Sequence, residues 1–276
     1  MKLIYVFVNY NNSNESIESI LSLASGSGFN DSSILIVDNC SRQNEISKLK
    51  SFISKYDQVL LIENKINVGY FSGLNMGINY ININKLNFDF LIVGNNDLTF
   101  PNDFFEVLFS RSTFISCFPV VSPSIITIDG HHQNPHVINK INSLREIAYD
   151  FIYYNYYFFR FTIFLSGIFR SLFERGDEKH FNIAQEIYQG YGACYILTKQ
   201  FFNNWVQLPT NSFLFYEEYF LSYQLASKNF KVYYDPQIIL YHRMHKSTGI
   251  MPKRIMWKYA KNAHWEHRKT NKIFKK

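Results

Sequence analysis

Four short apolar runs alternate with amphipathic segments up to Gly94, and this alternation restricts the possible fold more than any other feature. The runs cover residues 3–8, 34–37, 59–62 and 90–94. Between them apolar residues recur at helical spacing, as at Ile17, Ile20 and Leu21. Because strands joined by helices through short links pair in parallel, we predict an α/β fold with a Rossmann-like, mostly parallel central sheet flanked by helices.

Polar residues follow these runs where each strand is predicted to end. Asn9, Asp38, Asn67 and Asp97 each lie within a few residues of an apolar run. Ligands of open α/β sheets bind outside the carboxyl ends of the strands, so four polar groups along one edge predict a nucleotide cleft. Each of these residues taken alone is also typical of a turn or a helix cap.

The sequence lacks a glycine-rich phosphate-binding loop after the first predicted strand, since neither GxxxxGK[ST] nor GxGxxG is present there. The charge of a bound diphosphate would then have to be balanced by a metal ion. Hard divalent cations prefer carboxylate oxygens and are often shared with substrate phosphates, which makes Asp97 the candidate ligand.

The second half of the chain contributes further candidates. Glu217 and Glu218 begin a predicted helix. The helix dipole favours acids in the first turn, so the pair is either a simple N-terminal feature or includes a carboxylate kept ionised to accept a proton. His242 follows two predicted strands at residues 232–234 and 238–241, and is either a surface residue or a ligand suited to Mn²⁺.

The middle of the chain is less regular. We predict a helix at residues 101–109, a strand at 114–121 and a strand with a glycine-containing bend at 188–197. His131 and His132 lie in a predicted turn. Because no carboxylate or Cys accompanies them, we interpret them as loop residues.

The basic residues of the chain are concentrated at its C-terminus. The chain has 276 residues, of which 47% are hydrophobic, and carries a net charge of +6. Residues 252–276 contain nine Lys or Arg against one acid, Glu266. We therefore divide the chain into a domain at 1–250 and a basic tail at 251–276. Basic residues interleaved with aromatics such as Trp257 fit an anionic membrane surface, or else a solvated terminal helix, and we expect no nucleic-acid partner.

An aromatic insertion interrupts the domain at about residues 144–175. Residues 151–164 contain nine Phe or Tyr. Asp150, Arg160 and Arg170 divide the segment into uncharged runs of nine residues, well below the ~18 that a membrane-spanning helix needs. We expect a helix lying on the cytoplasmic leaflet, a buried hairpin or a contact within a homodimer.

Cysteine usage and the N-terminus indicate the compartment. Cys40, Cys117 and Cys194 lie far apart without CxxC spacing, which fits reduced thiols rather than disulfides or a zinc site. The first residues lack the pattern of a signal peptide. We therefore expect a cytoplasmic protein, peripheral on the inner face of the plasma membrane.

Seven short motifs, each degenerate alone, are specific together. They are residues 8–11, 37–41, 64–70, 94–97, 191–194, 215–218, and 241–242 with Ser247. Through these motifs the chain resembles family 2 glycosyltransferases of the GT-A fold, the inverting kind that builds bacterial surface polysaccharides, such as rhamnosyltransferases. The resemblance covers roughly residues 3–250. It implies a GT-A fold, here with a C-terminal helical and aromatic extension, and a nucleotide-diphosphate sugar as donor.

The resemblance also implies roles for individual residues. The donor-binding positions are Val8, Asn9, Tyr10, Asp38, Asn67, Gly69, Tyr70, Asn95, Asn96, Asp97 and Gly192. Asp97 ends the stretch that takes the place of the family's Asp-X-Asp motif and would bind Mn²⁺ or Mg²⁺, with His242 as a second ligand or a diphosphate contact. Glu218 takes the place of the family's catalytic Asp and would be the base, with Glu217 as the fallback.

The expected function is inverting transfer of a sugar to a hydroxyl of a glycan or a lipid-linked acceptor, in synthesis of a cell-surface polysaccharide such as a capsule or an O-antigen. Two other classes stay open. A nucleotidyltransferase would carry a Gly-rich, basic loop after the first strand, whereas residues 9–14 contain no Gly, Lys or Arg. A non-catalytic scaffold that binds sugar nucleotides or polysaccharide would bind the donor without releasing diphosphate.

Overall fold

The computed structural model describes residues 1–140, 143–168, 176–244 and 252–270. The strands in these residues form one nine-stranded sheet. They are β1 (Leu3–Asn9), β2 (Ser32–Asp38), β3 (Val59–Glu63), β4 (Phe90–Gly94), β5 (Leu98–Thr99), β6 (Val120–Thr127), β7 (Gln185–Ile187), β8 (Cys194–Thr198) and β9 (Val232–His242). The α-helices are α1 (Ser13–Ala24), α2 (Gln43–Ile53), α3 (Tyr70–Ile83), α4 (Phe104–Ser110), α5 (Ser112–Ile115), α6 (Ser143–Tyr154), α7 (Tyr156–Ile168), α8 (Lys199–Phe202), α9 (Glu217–Ala226) and α10 (Lys253–Thr270).

The first half of the chain forms the predicted parallel layer, in the order β3-β2-β1-β4. In β1, Tyr5 and Phe7 pack with residues of α1 and α2, while Ile4 and Val6 pack on the other side with α3. Every residue of β4 is buried, which explains its continuous apolar run. Full burial of one such side chain contributes about 1.5–3 kcal/mol, so this two-sided core fixes the strand ends relative to one another.

The second half adds strands of both directions beyond β4. β8 runs antiparallel to β4, and β6 runs antiparallel to β8. β9 is parallel to β6 and pairs antiparallel with both β5 and β7. Because β5 begins directly after Asp97 and β9 ends at His242, the pairing of these two strands sets the positions of both residues.

The strand predicted at residues 114–121 is wrong in its first part. α5 and a turn occupy that part, and β6 begins only at Val120. Phe114 and Phe118 lie one helical turn apart, and the rings of both pack against Tyr233. This shared contact favours the helical turn over an extended chain, in which residues four apart would lie about 13 Å from one another and could not pack on one ring.

The strands predicted at 232–234 and 238–241 form one continuous strand, β9. Its register with β6 shifts just after Pro123, and such an irregularity is where a sheet accepts proline. Asp235 lies fully buried between the two predicted segments and pairs with Arg111. The polar residue between the two predicted segments is therefore an internal ion-pair partner.

α6 and α7 occupy the aromatic insertion, and α10 packs against both. α10 also contains much of the predicted basic tail. His264 and His267 on its inner side are buried, and Arg268 binds Glu146 at 3.0 Å and Asp150 at 2.9 Å. In the described ranges, no helix combines the length and hydrophobicity needed to cross a bilayer.

Gly77 on α3 lies against β1, and its lack of a side chain permits the close approach. A methyl group there would lie well inside van der Waals contact with Val6 Cγ1. We expect Gly77→Ala to lower the free energy of unfolding by about 1–3 kcal/mol, measured by urea denaturation, because overpacking outweighs the gain in helix propensity.

The matched control is Gly176→Ala. Among the described residues no atom lies within 4 Å of a methyl group added there, and φ is −65°, which any residue adopts. This control is expected to keep or slightly raise the stability of the protein. An unchanged urea midpoint for Gly77→Ala would contradict the packing of α3 on β1.

Candidate active site

Asp97 and His242 meet at the carboxyl edge of the parallel strands. Asp97 Oδ1 lies 3.2 Å from His242 Nε2, and both side chains are buried. Leu98 pairs with His242 across β5 and β9, and the N–H of Arg243 donates to the carbonyl of Asp97 at 3.1 Å. Backbone pairing therefore brings together two side chains that are distant in sequence.

The atoms around this pair fit a divalent cation. His242 Nδ1 lies 2.7 Å from Gln133 Oε1, an acceptor, so Nδ1 carries the proton. Nε2 then presents its lone pair, in keeping with the Asn95 Nδ2 donor 3.3 Å away. Asp97 Oδ1 is buried and has no hydrogen-bond partner among the described residues. A lone pair and a carboxylate oxygen facing one another are stabilised by a cation, and imidazole nitrogen with carboxylate oxygen suits Mn²⁺.

The described residues supply only part of such a coordination shell. Within the described ranges no group of three or more His, Cys, Asp or Glu side chains is placed to hold a metal. A cation at Asp97 and His242 would therefore take its remaining ligands from water and from a bound phosphate, as Mg²⁺ and Mn²⁺ often do.

Asn9 links the ends of β1 and β2 to α1. Its Nδ2 donates to Asp38 Oδ1 at 2.7 Å, and its Oδ1 accepts from Ser16 Oγ at 2.9 Å. Ser16 Oγ also accepts from Asn96 Nδ2 at 2.9 Å, and Asp38 Oδ2 accepts from the N–H of Ser41 at 2.8 Å. Asn9 and Asp38 are fully buried. The network thus joins three predicted donor-binding residues and holds their strand ends in place.

Asn39 holds the loop before α3 against the sheet. Its Nδ2 donates to the carbonyl of Gly69 at 2.8 Å, and its Oδ1 accepts from Asn64 Nδ2 at 2.9 Å. Gly69 has φ of +90°, and a methyl group there would overlap with the carbonyl of Phe213, so the position requires glycine. Asn67 Oδ1 accepts from the N–H of Gly69 at 3.0 Å. The loop that carries Asn67 and Gly69 therefore has a fixed shape.

The two residues before β8 connect the turn after β4 to the carboxylate pair. The carbonyl of Ala193 accepts from the N–H of Asn95 at 2.8 Å. Tyr70 Oη donates to the carbonyl of Gly192 at 3.1 Å, and the N–H of Gly192 donates to Glu218 Oε1 at 3.2 Å. One short backbone segment thus lies between the candidate metal ligands and Glu218.

Glu217 and Glu218 begin α9 after two residues with left-handed backbone, Phe215 (φ 72°) and Tyr216 (φ 67°). Such geometry costs about 1–3 kcal/mol per non-glycine residue and clusters at functional sites. Glu217 is buried, whereas Glu218 is partly exposed. Burial first, and then the charge of Glu218, raises the pKa of Glu217 from 4.5 to about 8. Near neutral pH the buried Glu217 therefore holds a proton, which favours Glu218 as the acceptor of a proton from a ligand.

Tyr216 ties this turn to α6 and α10. Its Oη lies 3.0 Å from His264 Nδ1, and His264 Nε2 lies 2.6 Å from Asp150 Oδ1. Burial lowers the pKa of His264, so the neutral ring accepts from Tyr216 and donates to Asp150. The rings of Tyr153 and Tyr219 pack on Tyr216, at 6.0 and 4.8 Å between centres. α6 and α10 therefore support the turn that carries the carboxylates.

The remaining predicted site residues lie close by. Val8 packs in the buried layer beneath α3, and Tyr10, which follows β1, is 47% exposed. The turn predicted around His131 and His132 forms as expected after β6. Ser247 lies outside the described residues.

Several residues of the site were not predicted. Gln133 orients His242, but it follows two histidines in a turn and no spacing marks it. Arg243 anchors the end of β9 to α1 through Glu15 Oε2 at 3.0 Å. His264 contacts the site through Tyr216. In the sequence, only the position of Tyr216 next to the carboxylate pair could have pointed to this contact.

Residues 5–175, more than half of the chain, match the profile of the family described as glycosyl transferase family 2. The search of curated proteins found no significant match.

Similar solved structures share the GT-A fold. GalNAc-T7 with UDP, GalNAc and Mn²⁺ aligns with a TM-score of 0.60 and 12% identity, over 91% of this chain and 45% of its own. The mannosyltransferase PcManGT from Pyrobaculum calidifontis, with GDP-Man and Mn²⁺, aligns with a TM-score of 0.56 and 10% identity, over 89% of this chain and 57% of its own. S. aureus TarS aligns with a TM-score of 0.56 and 12% identity, over 88% of this chain and 37% of its own. The chain thus spans between 37% and 57% of the length of these proteins, and the likeness establishes the fold alone.

The raised pKa of Glu217 has a consequence for stability. The folded protein binds this proton more tightly than the unfolded chain does, so the contribution of Glu217 to stability falls as the pH rises from about 4.5 to about 8. We expect Glu217→Gln to be more stable relative to wild type at about pH 8.5 than at about pH 5, in urea denaturation at both values.

The control for this comparison is Glu106→Gln, which replaces an exposed carboxylate on α4. The free energy of unfolding of this variant is expected to equal that of wild type at both pH values. If the free energy of unfolding of Glu217→Gln differed from that of wild type by the same amount at both pH values, Glu217 would not be protonated in the folded protein.

Proposed function

The chain belongs to glycosyl transferase family 2, and from this premise we propose that it is an inverting, metal-dependent glycosyltransferase that moves a sugar from a nucleotide-diphosphate sugar to an acceptor hydroxyl. The observation that carries the proposal is the position of Glu218, which a single backbone segment, Gly192–Ala193, connects to the edge where Asp97 and His242 meet.

The donor would lie along the carboxyl edge of the parallel strands. Val8, Asn9, Tyr10 and Asp38 would face the base and ribose, with the loop of Asn67 and Gly69 completing the pocket. Tyr70, Asn95, Asn96 and Gly192 would lie nearer the sugar diphosphate. GalNAc-T7 and PcManGT were solved with UDP and GDP-Man, which supports a nucleotide donor without choosing its base.

Asp97 and His242 would hold the divalent cation, Mn²⁺ or Mg²⁺. When bound, the cation supplies Lewis-acid stabilisation of the charge on the diphosphate leaving group. The protein's own part is to keep His242 in the tautomer that exposes Nε2, which Gln133 does through Nδ1.

Glu218 would act as the general base. The N–H of Gly192 orients its carboxylate, and its place in the first turn of α9 favours the charged form. The carboxylate takes the proton of the acceptor hydroxyl while the oxygen bonds to the anomeric carbon. The bond from that carbon to the diphosphate breaks on the opposite face, so the configuration inverts.

The biological setting extends the proposal. We propose a glycan or lipid-linked acceptor in bacterial cell-surface polysaccharide synthesis, such as that of a capsule or an O-antigen, at the cytoplasmic face of the plasma membrane. The motif resemblance supports this setting. The transferase domain would cover residues 1–250 with the insertion at 144–175, followed by the basic segment at 251–276, and homodimer formation is compatible with it.

The proposed base is tested by Glu218→Gln, which keeps the size of the side chain and an acceptor for Gly192. We expect donor turnover to fall about 10²–10⁴-fold, measured as nucleoside diphosphate released from a panel of UDP-, GDP- and dTDP-sugars. Gly192→Ala should give a similar loss, because its methyl group would displace the Glu218 carboxylate, whose Cδ lies 2.9 Å from the methyl position.

The matched control is Glu186→Gln on β7, an exposed carboxylate expected to keep full activity. Full activity of folded Glu218→Gln would remove this residue from the mechanism. A wild-type protein that binds a donor and never releases diphosphate would instead be a non-catalytic binding scaffold.

The proposed metal site is tested by replacing Gln133, which orients His242, and by replacing the ligand Asp97. We expect Gln133→Leu to weaken Mn²⁺ binding about 10–100-fold in the presence of nucleoside diphosphate, because the imidazole loses its orienting partner. Asp97→Ala should weaken it further and abolish turnover. Electron paramagnetic resonance of free Mn²⁺ measures binding directly, and exposed Asp57→Asn is the control. Turnover that survives EDTA would overturn metal dependence.

A further inference from the structure

α6 and α7 expose an unusual number of large aromatic side chains. The exposed aromatics are Phe151 (69%), Tyr154 (71%), Tyr157 (79%), Phe158 (62%), Phe161 (58%) and Phe164 (64%). These six residues are called the aromatic face below. Scattered apolar residues are normal on a protein surface, whereas six large aromatics exposed within fourteen residues of sequence indicate an interaction site.

Three members of the aromatic face form a regular stripe on α7. Tyr157, Phe161 and Phe164 recur at i, i+4 and i+7, which places them on one stripe of α7. Phe159 on the opposite side is buried, and it packs near Tyr153 at 5.9 Å between ring centres. The helix pair is therefore anchored from behind while its aromatic side faces outward.

Basic residues of α10 lie beside this face. Trp257 contacts Tyr156 at 5.8 Å between ring centres, and Tyr156 contacts the exposed Tyr157 at the same distance. Lys261 Nζ lies 4.9 Å from the centre of the Trp257 ring. Lys253, Arg254 and Lys258 on the same helix are exposed, as is Arg160 within the aromatic stretch. From residue 151 to 168 the sequence contains no Asp or Glu.

We infer that the aromatic face docks on the surface of a bilayer containing anionic phospholipid, with α7 lying in the plane of the headgroups. Tyr and Phe suit the boundary between headgroups and acyl chains, and flanking Lys and Arg suit anionic lipid. α7 has 13 residues and is about 20 Å long at the usual helical rise, so it lies on a bilayer of about 30 Å and does not cross it.

A second copy of the chain fits this surface less well. An isologous contact would place Arg160 and the cations of α10 of one copy near those of the other, and like charges in an interface are unfavourable. Anionic lipid instead complements these charges.

The docking surface is joined to the candidate active site. Tyr153 of α6 packs on Tyr216, and His264 of α10 lies between Tyr216 and Asp150 of α6. Lipid docking would therefore hold the turn that carries Glu218 at a fixed height above the membrane, where a lipid-linked hydroxyl is presented. This last step rests on the proposed function, whereas lipid binding does not.

The test is flotation of the purified chain with vesicles of phosphatidylcholine alone and of phosphatidylcholine mixed with phosphatidylglycerol. We expect binding to the mixed vesicles only. Tyr157→Ser/Phe161→Ser/Phe164→Ser should lose that binding, and Lys253→Gln/Arg254→Gln should weaken it about fivefold for each cation removed.

The matched control variants replace apolar and basic side chains on other parts of the protein surface. Ile83→Ser/Val206→Ser removes two exposed apolar side chains, and Lys55→Gln/Lys85→Gln removes two exposed cations, so both should bind like wild type. Asp97→Ala should also bind vesicles fully, which separates this proposal from the catalytic one. Wild type that stays unbound, a face variant that binds like wild type, or a concentration-dependent dimer abolished by the same face substitutions would each overturn the lipid assignment.

Discussion

The pairing of β5 with the end of β9 is the contact on which the candidate site depends. β5 is only two residues long, yet it sets Asp97 beside His242 and lets the N–H of Arg243 bond to the Asp97 carbonyl. Arg243 then reinforces the join through Glu15 and Thr99. Without this pairing Asp97 would be a polar residue in a turn after a strand. With it, a carboxylate and an imidazole face one another in a buried position.

The carboxylate pair depends on a different kind of constraint. Two consecutive left-handed residues, Phe215 and Tyr216, are unfavourable on their own. The packing of Tyr216 and its bond to His264 offset that cost. The result is that adjacent carboxyl groups occupy unlike environments: Glu217 is buried and protonated, and Glu218 lies at the Gly192 amide. Pairs of acids whose environments separate their protonation states are a common basis for acid–base chemistry.

The sequence predicted the parallel half of the fold well, because that half is encoded locally. Each strand of the β3-β2-β1-β4 layer is an apolar run, and each crossover helix has its own periodicity. The predictions failed where a distant contact decides the structure. α5 forms because Phe114 packs on Tyr233, and β9 continues through Asp235 because Arg111 pairs with it. Gln133 and His264 belong to the site for the same reason, and no local pattern marks them.

The charges of α10 show why composition alone was an incomplete guide to the basic segment. Arg268 is paired with Glu146 and Asp150, and Lys269 with Glu266, so these cations serve the fold and the helix itself. Lys253 and Arg254 instead lie at the N-terminal end of the helix, where the macrodipole disfavours positive charge. An anion outside the protein would offset this unfavourable interaction. Because Lys253 and Arg254 lie near Trp257 and the aromatic face, a lipid headgroup is the anion that fits.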